Sequence, residues 1–353
     1  MKPFHGVQRI LVIRTDRLGD LLLNIPAVRA LRQSYANAYL AMLVQPHLRE
    51  VVDTNPDVDE VIEYDKNGSE RSWGATLAMA WQLRLKRFDM VVILNPSKRS
   101  NILAWLSGAR YRVGYDRKWG ALLTQRIPDR KYLGDRHEVE YNMELVRRAG
   151  AQTEDLSVRL NPAHSDRRSV RETLEAFGWN PEEKIVLVHP GTSSFSKRWP
   201  AERYAAVVRQ LCETEGLRVV LVGGGDEFDA IAELHAQCPD EVFNLTGRFG
   251  IRQLAALCEL AVCLVSNDSG PVHVAAAVGT RTVVIFGRTR PGLSPRRWGP
   301  WGRGHVVFQH DVGCAVCVPE QCDLGYQCLE AVSAEEIAEE VRSLISPKEL
   351  LHS

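Results

Sequence analysis

The fold is constrained most strongly by a rhythm of short apolar runs that alternate with longer amphipathic stretches and restart halfway along the chain. The runs predict strands at Ile10–Ile13, Tyr39–Val44, Glu60–Tyr64 and Met90–Leu94, and again at Ile185–His189, Arg218–Val222, Ala261–Val265 and Thr282–Phe286. Helices are predicted between them at Leu21–Gln33 and Trp73–Lys86, and near 201–215, 227–237, 251–259 and 271–278. Such alternation is typical of βα units around a parallel sheet. The sequence therefore predicts an α/β protein with two Rossmann-like, doubly wound parallel-sheet domains, residues 1–165 and 166–330.

The end of the chain, residues 331–353, is predicted to be a helix and a tail. Ser333 followed by Glu336 has the spacing of a capping box at the start of a helix over Ser333–Ile345. Ligands of doubly wound sheets bind beyond the carboxyl ends of the strands. The predicted site is therefore a central cleft that both domains face.

The charge of the chain is zero in sum but unevenly distributed. Residues 1–150 carry 24 Lys+Arg against 17 Asp+Glu, and residues 151–353 carry 20 against 27. The asymmetry suggests an acidic partner for the first half, whereas composition alone favours a solvated basic face. No nucleic-acid-binding module is recognisable, so no nucleic acid partner is expected. No apolar run is long enough to span a membrane and the first residues lack the pattern of a signal peptide, which predicts a cytoplasmic protein.

The segment VSNDSGPVHVAAAVGT, residues 265–280, places polar residues between a strand and a helix. Pro271 suits the first helical turn, and the free amides there attract anions. Gly270 lets a phosphate approach the backbone, Ser269 adds a hydroxyl, and His273 follows about one turn later. The alternative is that Asp268 or Ser269 only caps the helix. Taken alone, this segment does not decide between a phosphate site and a simple cap.

Two further loops in the second half favour a phosphate ligand. In HPGTSSFSKRWP, Thr192 and Ser193 offer hydroxyls and Lys197 offers a cation, which together suit a diphosphate. In VVLVGGGDEFDAI, a glycine turn leads to Asp226 and Glu227, either of which can accept hydrogen bonds from ribose hydroxyls. Neither loop has the dinucleotide-binding glycine pattern or the P-loop pattern. The three loops together predict a nucleotide diphosphate ligand.

A different loop follows the first predicted strand. In LVIRTDRLGDLLLNIPAV, residues 11–28, Asp20 follows a glycine at the predicted start of a helix. A carboxylate held there could take a proton from an attacking hydroxyl, and the helix dipole would keep it ionised. From the local sequence alone, a helix-capping role is the better interpretation. Arg14 and Arg17 flank the loop and are candidate acceptor contacts or surface arginines.

In this order the motifs resemble those of glycosyltransferase family 9, the ADP-heptose:lipopolysaccharide heptosyltransferases, over nearly the whole chain. The resemblance implies the two-domain GT-B fold, an ADP-sugar donor, and a metal-independent inverting reaction that needs no cofactor. It implies that Asp20 is the catalytic base, and that the nucleotide sugar is bound by Thr192, Ser193, Lys197, Asp268, Ser269, Gly270 and His273. It also implies an acidic lipopolysaccharide acceptor at the inner membrane face, with peripheral association there. The segment FGRTRP departs from the family by having Arg288 where proline is usual.

Four of the eight cysteines crowd into one segment. Cys314, Cys317, Cys322 and Cys328 follow the pattern C-x2-C-x4-C-x5-C. In a cytoplasmic chain such a cluster favours a structural metal site over disulfides. The spacing matches no standard zinc finger, and a loop of reduced thiols is slightly favoured. Neither interpretation gives the cysteines a catalytic role.

Overall fold

In the computed structural model, which describes residues 2–314 and 317–345, the chain divides into two compact units. The first unit is Met1–Arg159 and the second is Leu160–Ser353, so the division falls at Arg159 rather than at residue 165. Residues 346–353 of the predicted C-terminal tail lie outside the described residues.

The first unit contains a six-stranded parallel sheet in the order β3-β2-β1-β4-β5-β6. Its strands are β1 (Arg9–Ile13), β2 (Tyr39–Val44), β3 (Glu60–Glu63), β4 (Met90–Ile93), β5 (Tyr111–Tyr115) and β6 (Gln125–Ile127). Its helices are α1 (Leu18–Leu22), α2 (Ile25–Ser34), α3 (Arg49–Val52), α4 (Trp73–Leu85), α5 (Lys98–Leu106) and α6 (Glu138–Arg148). The central strands β1, β2 and β4 are almost wholly buried and apolar, as expected where helices cover both faces of a parallel sheet.

The second unit repeats the plan with the order β12-β11-β10-β7-β8-β9, again with parallel neighbours. Its strands are β7 (Lys184–His189), β8 (Leu217–Leu221), β9 (Phe243–Asn244), β10 (Ala261–Asn267), β11 (Arg281–Ile285) and β12 (Val306–Phe308). Its helices are α7 (His164–Ala176), α8 (Ala201–Cys212), α9 (Phe228–His235), α10 (Ile251–Leu260), α11 (Gly270–Ala277), α12 (Pro295–Trp298), α13 (Gln327–Glu330) and α14 (Ala334–Ile345). The predicted α/β architecture with two doubly wound parallel sheets is confirmed.

The last helix completes the core of the second unit. Ser333 and Glu336 exchange the two predicted hydrogen bonds, with Glu336 N 3.1 Å from Ser333 Oγ and Ser333 N 2.8 Å from Glu336 Oε2. The capping box is thus confirmed. Ile337 and Val341 then bury their side chains in the cluster that α8 also fills.

The helix predicted over Leu21–Gln33 is wrong in its boundaries, because the structure breaks it in two. Pro26 lies at the second position of α2 and has no N–H to bond the preceding turn, so one continuous helix cannot form. The Asn24 side chain donates to the Asp20 carbonyl at the break. Among the described residues, no helix is both long enough and apolar enough to cross a bilayer.

Candidate functional site

In each sheet the strand order reverses next to the first strand of the unit, because the chain adds two strands on one side of it and then continues on the other side. In the first sheet β1 lies between β2 and β4, and in the second β7 lies between β8 and β10. Such reversal points are where doubly wound sheets bind ligands, because neighbouring loops separate there. The loop that follows β1 and the loops that follow β7 and β10 begin at these points.

Asp20 lies in the first turn of α1, which begins at Leu18 rather than at Asp20 itself. Arg14 binds its side chain, with 2.5 Å between Arg14 Nη2 and Asp20 Oδ1. The same guanidinium contacts Asp16, with 2.6 Å between Nε and Oδ1, and donates to the Leu94 carbonyl at 2.8 Å. Arg14 therefore holds the Asp20 carboxylate in a fixed position at the ends of β1 and β4.

A second buried ion pair lies behind Arg14. Lys131 Nζ is 2.5 Å from Glu138 Oε1, and Glu138 lies 3.9 Å from Arg14 Nη1. Lys131 also donates to Asn142 at 3.3 Å. Three carboxylates and two cations thus share one largely buried cluster.

The environment of Asp20 raises the pKa of its carboxyl to about 6. Burial is the largest cause, and it outweighs the attraction of Arg14, while Asp16 and Glu138 add repulsion. The shift is opposite in sign to the one expected from the helix dipole alone, because α1 has only five residues and its side chains are largely buried. A carboxylate with this pKa is about 90% ionised at pH 7 and is a stronger base than an ordinary aspartate.

The two flanking arginines lie in different environments. Arg14 is buried and its guanidinium is occupied by carboxylates, whereas Arg17 is exposed at the N-cap of α1. Arg14 positions Asp20, and contact of either arginine with an acceptor stays a prediction.

In the second unit, Asp268 lies between two cations at the end of β10. Lys197 Nζ is 2.8 Å from Asp268 Oδ2, and Arg288 Nη2 is 2.7 Å from the same oxygen. Lys197 also donates to the Asp268 carbonyl at 3.1 Å. The structure thus brings the lysine of one predicted loop to the aspartate of another and adds Arg288.

The helix that follows is α11, with Ser269 as its N-cap in an extended conformation. The Ser269 hydroxyl makes no side-chain capping bond, so the simple capping alternative does not describe it. It lies instead 2.9 Å from Ser266 Oγ and 3.2 Å from His189 Nδ1. Gly270 is the first helical residue, and His273 is buried one turn further on. The first-turn amides of α11 therefore adjoin the Lys197–Asp268–Arg288 cluster.

His189 and Glu227 connect the glycine turn to this helix start. His189 Nε2 is 3.1 Å from Glu227 Oε2, and Glu227 also accepts from the Gly224 amide at 2.9 Å. Burial acts to raise the pKa of the Glu227 carboxyl, but the hydrogen bond and charge of His189 and the Gly224 amide outweigh it and leave the pKa lowered. Any Cβ at Gly191 would collide with this carboxylate. Of the two ribose candidates, Glu227 belongs to the network, whereas Asp226 is exposed.

Asn267 fixes the loop that carries Lys197. Its Oδ1 accepts from Trp199 N at 3.1 Å, and its Nδ2 donates to the Pro190 carbonyl at 2.7 Å. The buried amide therefore ties both ends of the loop to the last residue of β10. Within the loop, Ser193 is exposed and Thr192 is half-buried.

The four clustered cysteines line a single cavity of about 370 Å³ together with Ser196, Arg288 and Thr289. Cys328 is buried and donates to the Gly287 carbonyl at 2.8 Å. Among the described residues, no group of three or more His, Cys, Asp or Glu is arranged to hold a metal ion. The hydrogen bond from Cys328 to the Gly287 carbonyl supports the backbone beside Arg288.

Several residues of these sites were not singled out from the sequence. His189 ends one predicted strand and Asn267 follows another by two residues, and a polar residue after an apolar run is a usable signal at such places. Arg288 was noted only as a departure from the family pattern. Glu138 and Lys131 are far from Asp20 in sequence, and no local pattern connects them.

Comparison with known proteins identifies the family. The family model described as glycosyltransferase family 9 (heptosyltransferase) matches residues 76–327. Lipopolysaccharide heptosyltransferase 2 of Escherichia coli (strain K12) is 25% identical over 353 residues, covering 97% of this chain and 99% of that protein.

Solved structures with the same fold include the family 9 glycosyltransferase of Veillonella parvula (TM-score 0.87, 23% identity, covering 98% of this chain and 99% of that one). Another is the ADP-heptose lps heptosyltransferase II of E. coli (TM-score 0.78, 24% identity, covering 96% and 98%). A more distant neighbour, TibC of enterotoxigenic E. coli, is described as an iron-containing dodecameric glycosyltransferase (TM-score 0.59, 14% identity, covering 98% and 78%). The match of the family model over most of the chain is decisive: this chain belongs to glycosyltransferase family 9, the heptosyltransferases.

Proposed function

We propose that this glycosyltransferase transfers heptose from ADP-heptose to an acidic acceptor in the inner core of lipopolysaccharide, with inversion at the anomeric carbon. The observation that carries the proposal is the Asp20–Arg14 pair, a fixed carboxylate whose pKa is raised to about 6 at the reversal point of the first sheet. The relatedness to lipopolysaccharide heptosyltransferase 2 over 97% of the chain supports the substrate class.

The second unit would bind the donor. Lys197 and Arg288 supply positive charge, and the first-turn amides of α11 supply donors, for a diphosphate at the end of β10. Glu227 is the better candidate for the ribose, because its carboxylate is oriented by His189 and the Gly224 amide. His273, Ser269 and the loop residues Thr192 and Ser193 complete the proposed set.

The first unit would supply the base. In the proposed step, Asp20 accepts the proton of an acceptor hydroxyl as that oxygen forms a bond to the anomeric carbon. The bond from the anomeric carbon to the diphosphate breaks on the opposite side, and ADP leaves with the electron pair. Lys197, Arg288 and the α11 amides would stabilise the charge that develops on the departing diphosphate.

No metal takes part in this proposal. The one positive charge in excess in the Lys197–Asp268–Arg288 cluster, together with the first-turn amides of α11, would offset leaving-group charge that a divalent cation offsets in metal-dependent transferases. The iron described for TibC belongs to that protein. Incubation with a chelator, followed by the transfer assay and circular dichroism, tests this point: a loss of activity with the fold intact would contradict a metal-free reaction.

The acceptor would be an acidic glycolipid at the cytoplasmic face of the inner membrane, with no nucleic acid involved. The excess of Lys+Arg over Asp+Glu in residues 1–150 supports an anionic partner for the first unit. Arg17 is exposed close to Asp20 in sequence. It is therefore better placed than the buried Arg14 to contact the acceptor.

The Asp20→Asn variant tests the base. Its kcat for transfer should fall about 10²–10⁴-fold, while the affinity for ADP, measured by calorimetry, stays unchanged because the donor site lies in the other unit. Asp16→Asn is the matched control, since it removes a carboxylate from the same Arg14 guanidinium without removing the base. Unchanged kcat in Asp20→Asn, or an equal loss in both variants, would contradict the assignment.

A titration with several donors tests the substrate. The alternatives are a family relative that uses another nucleotide sugar or glycan, and a chain that binds nucleotide sugars without turnover. ADP-heptose should bind more tightly than ADP-glucose, UDP-glucose and GDP-mannose. Tighter binding of a UDP or GDP sugar would overturn the proposed donor and leave the family assignment intact.

A further inference from the structure

Helix α4 in the first unit presents an apolar stripe to solvent. Trp73, Leu77, Trp81 and Leu85 recur every fourth residue, and their exposed fractions are 54%, 57%, 62% and 65%. Successive members lie about 6 Å apart along the axis and turn by about 40°, so the stripe runs about 18 Å along one side of the helix. Singly exposed apolar residues are ordinary, but a continuous row of large ones marks an interaction surface.

The stripe is not the core-facing side of α4. That side carries Thr76, Met79, Ala80 and Leu83, all buried in the first unit. The outward side contains one charged residue, Arg84, and no carboxylate. The solvent-facing side of a helix is normally polar. In α4 the core-facing side and the outward side are both largely apolar, so the outward side suits an apolar or interfacial environment.

Exposed tryptophans concentrate on this part of the chain. Trp105 on the neighbouring helix α5 and Trp119 after β5 are also about half exposed. The other described tryptophans, which lie in the second unit, are buried or half-buried. Trp side chains favour the boundary between lipid headgroups and acyl chains, where the ring is partly desolvated and its N–H stays hydrated.

Positive charge predominates in the segment of the chain that carries the stripe. Residues 71–118 contain ten Lys+Arg and two Asp+Glu, so this segment alone accounts for the basic balance of the first unit. Arg99 lies 5.2 Å from the Trp73 ring and Lys98 lies 5.5 Å from the Trp119 ring. Arg99 and Lys98 are therefore held beside exposed tryptophan rings, and cations next to exposed aromatic rings suit an anionic lipid surface.

We infer that the α4 stripe, Trp73, Leu77, Trp81 and Leu85, is the surface by which this protein docks on a bilayer that contains anionic lipids. The charge complementarity of residues 71–118 selects a membrane over a second copy of this basic unit, because two copies placed face to face would repel each other. The inference goes beyond the transfer reaction, and it rests on the proposed function only in that a glycolipid acceptor brings the protein to a membrane.

Vesicle co-sedimentation of the full chain, without donor or acceptor, tests the inference. The wild-type chain should bind vesicles of phosphatidylethanolamine and phosphatidylglycerol, bind phosphatidylcholine vesicles much more weakly, and lose affinity as salt is raised. Leu77→Ser/Trp81→Ser should lower the partition coefficient about 10–100-fold. Arg84→Gln should lower it about fivefold on the anionic vesicles only.

Tyr132→Ser is the matched control, since Tyr132 is 70% exposed in the same unit but lies outside the stripe. The Tyr132→Ser variant should partition onto vesicles to the same extent as the wild-type chain. The melting temperatures of all variants should be similar, because only outward side chains change. Equal binding to neutral and anionic vesicles, or undiminished binding by Leu77→Ser/Trp81→Ser, would overturn the inference. A wild-type dimer that this double variant converts to a monomer would identify a second copy as the occupant instead. Because no substrate is present, failure here leaves the proposed transfer reaction untouched.

Discussion

Arg288 donates a hydrogen bond to Asp268, with 2.7 Å between Nη2 and Oδ2, and so shares that carboxylate with Lys197. The three side chains leave one positive charge in excess at the start of α11. Buried carboxylates bound by two cations orient the cations as well as neutralise them. Asp268 thus positions both cations at the start of α11, where each can meet an anionic ligand.

The Arg288→Gln variant should weaken ADP binding about 5–20-fold, because it removes a cation and leaves Asp268 with Lys197 alone. Adenosine, which carries no phosphate, should bind as before. Arg290→Gln is the control, since Arg290 is exposed two residues away. Calorimetry with both ligands provides the measurement, and an equal effect of the two substitutions would argue against a specific role of Arg288.

His273→Ala should lower the affinity for ADP and ADP-sugar roughly 10–150-fold, if the imidazole donates a charge-assisted bond to a phosphate oxygen. His273 is buried one turn into α11, so the same variant must be checked for stability by thermal melting. Loss of adenosine binding to the same extent would mean that His273 supports the fold rather than the phosphate site.

The pH dependence of turnover should report the pKa of Asp20. The raised value of about 6 means that the base becomes protonated as the pH falls below 6, and kcat/KM should then drop tenfold per pH unit. The residual activity of Asp20→Asn should lack this limb. A profile that stays flat down to pH 4.5 would show that no group with this pKa is required.

The same carboxyl predicts a trend in stability. Because the folded pKa of Asp20 lies above its ordinary value of 3.8, the carboxyl stabilises the fold fully below pH 3.8, and this contribution is lost as the pH rises through about 6. The unfolding free energy of the wild type minus that of Asp20→Asn should therefore decrease between pH 4 and pH 7. Urea denaturation at several pH values measures the difference, and an increase over that range would mean that Arg14 outweighs burial.

The Asn267→Leu variant should destabilise the second unit by about 2–4 kcal/mol, because it leaves the Trp199 N–H and the Pro190 carbonyl without their partner in a buried place. The loop that carries Lys197 should also loosen, which raises the KM for the donor more than it lowers kcat. Urea denaturation and steady-state kinetics measure the two effects. Unchanged stability would show that the loop is held by other contacts.

All eight strands predicted from the sequence are present in the structure, and the central, buried ones have the clearest pattern. β1, β2, β4, β7 and β10 are covered on both faces, so each contains an unbroken run of apolar residues that stands out in the sequence. The edge strands β6, β9 and β12 have two or three residues, and too few positions remain for a pattern to form. The split between α1 and α2 follows from Pro26, which interrupts an otherwise continuous apolar stretch.

The sequence by itself determined the two series of βα units, the polar loops at their strand ends and the family. Apolar periodicity and short motifs carry this information because each depends on neighbours along the chain. Tertiary structure alone decided the electrostatics. The pKa of Asp20 depends on burial and on Glu138 and Lys131, more than a hundred residues away, and the charge at Asp268 depends on Lys197 and Arg288 from two other loops. Coulomb interactions and desolvation act through space, so no local pattern in the sequence records them.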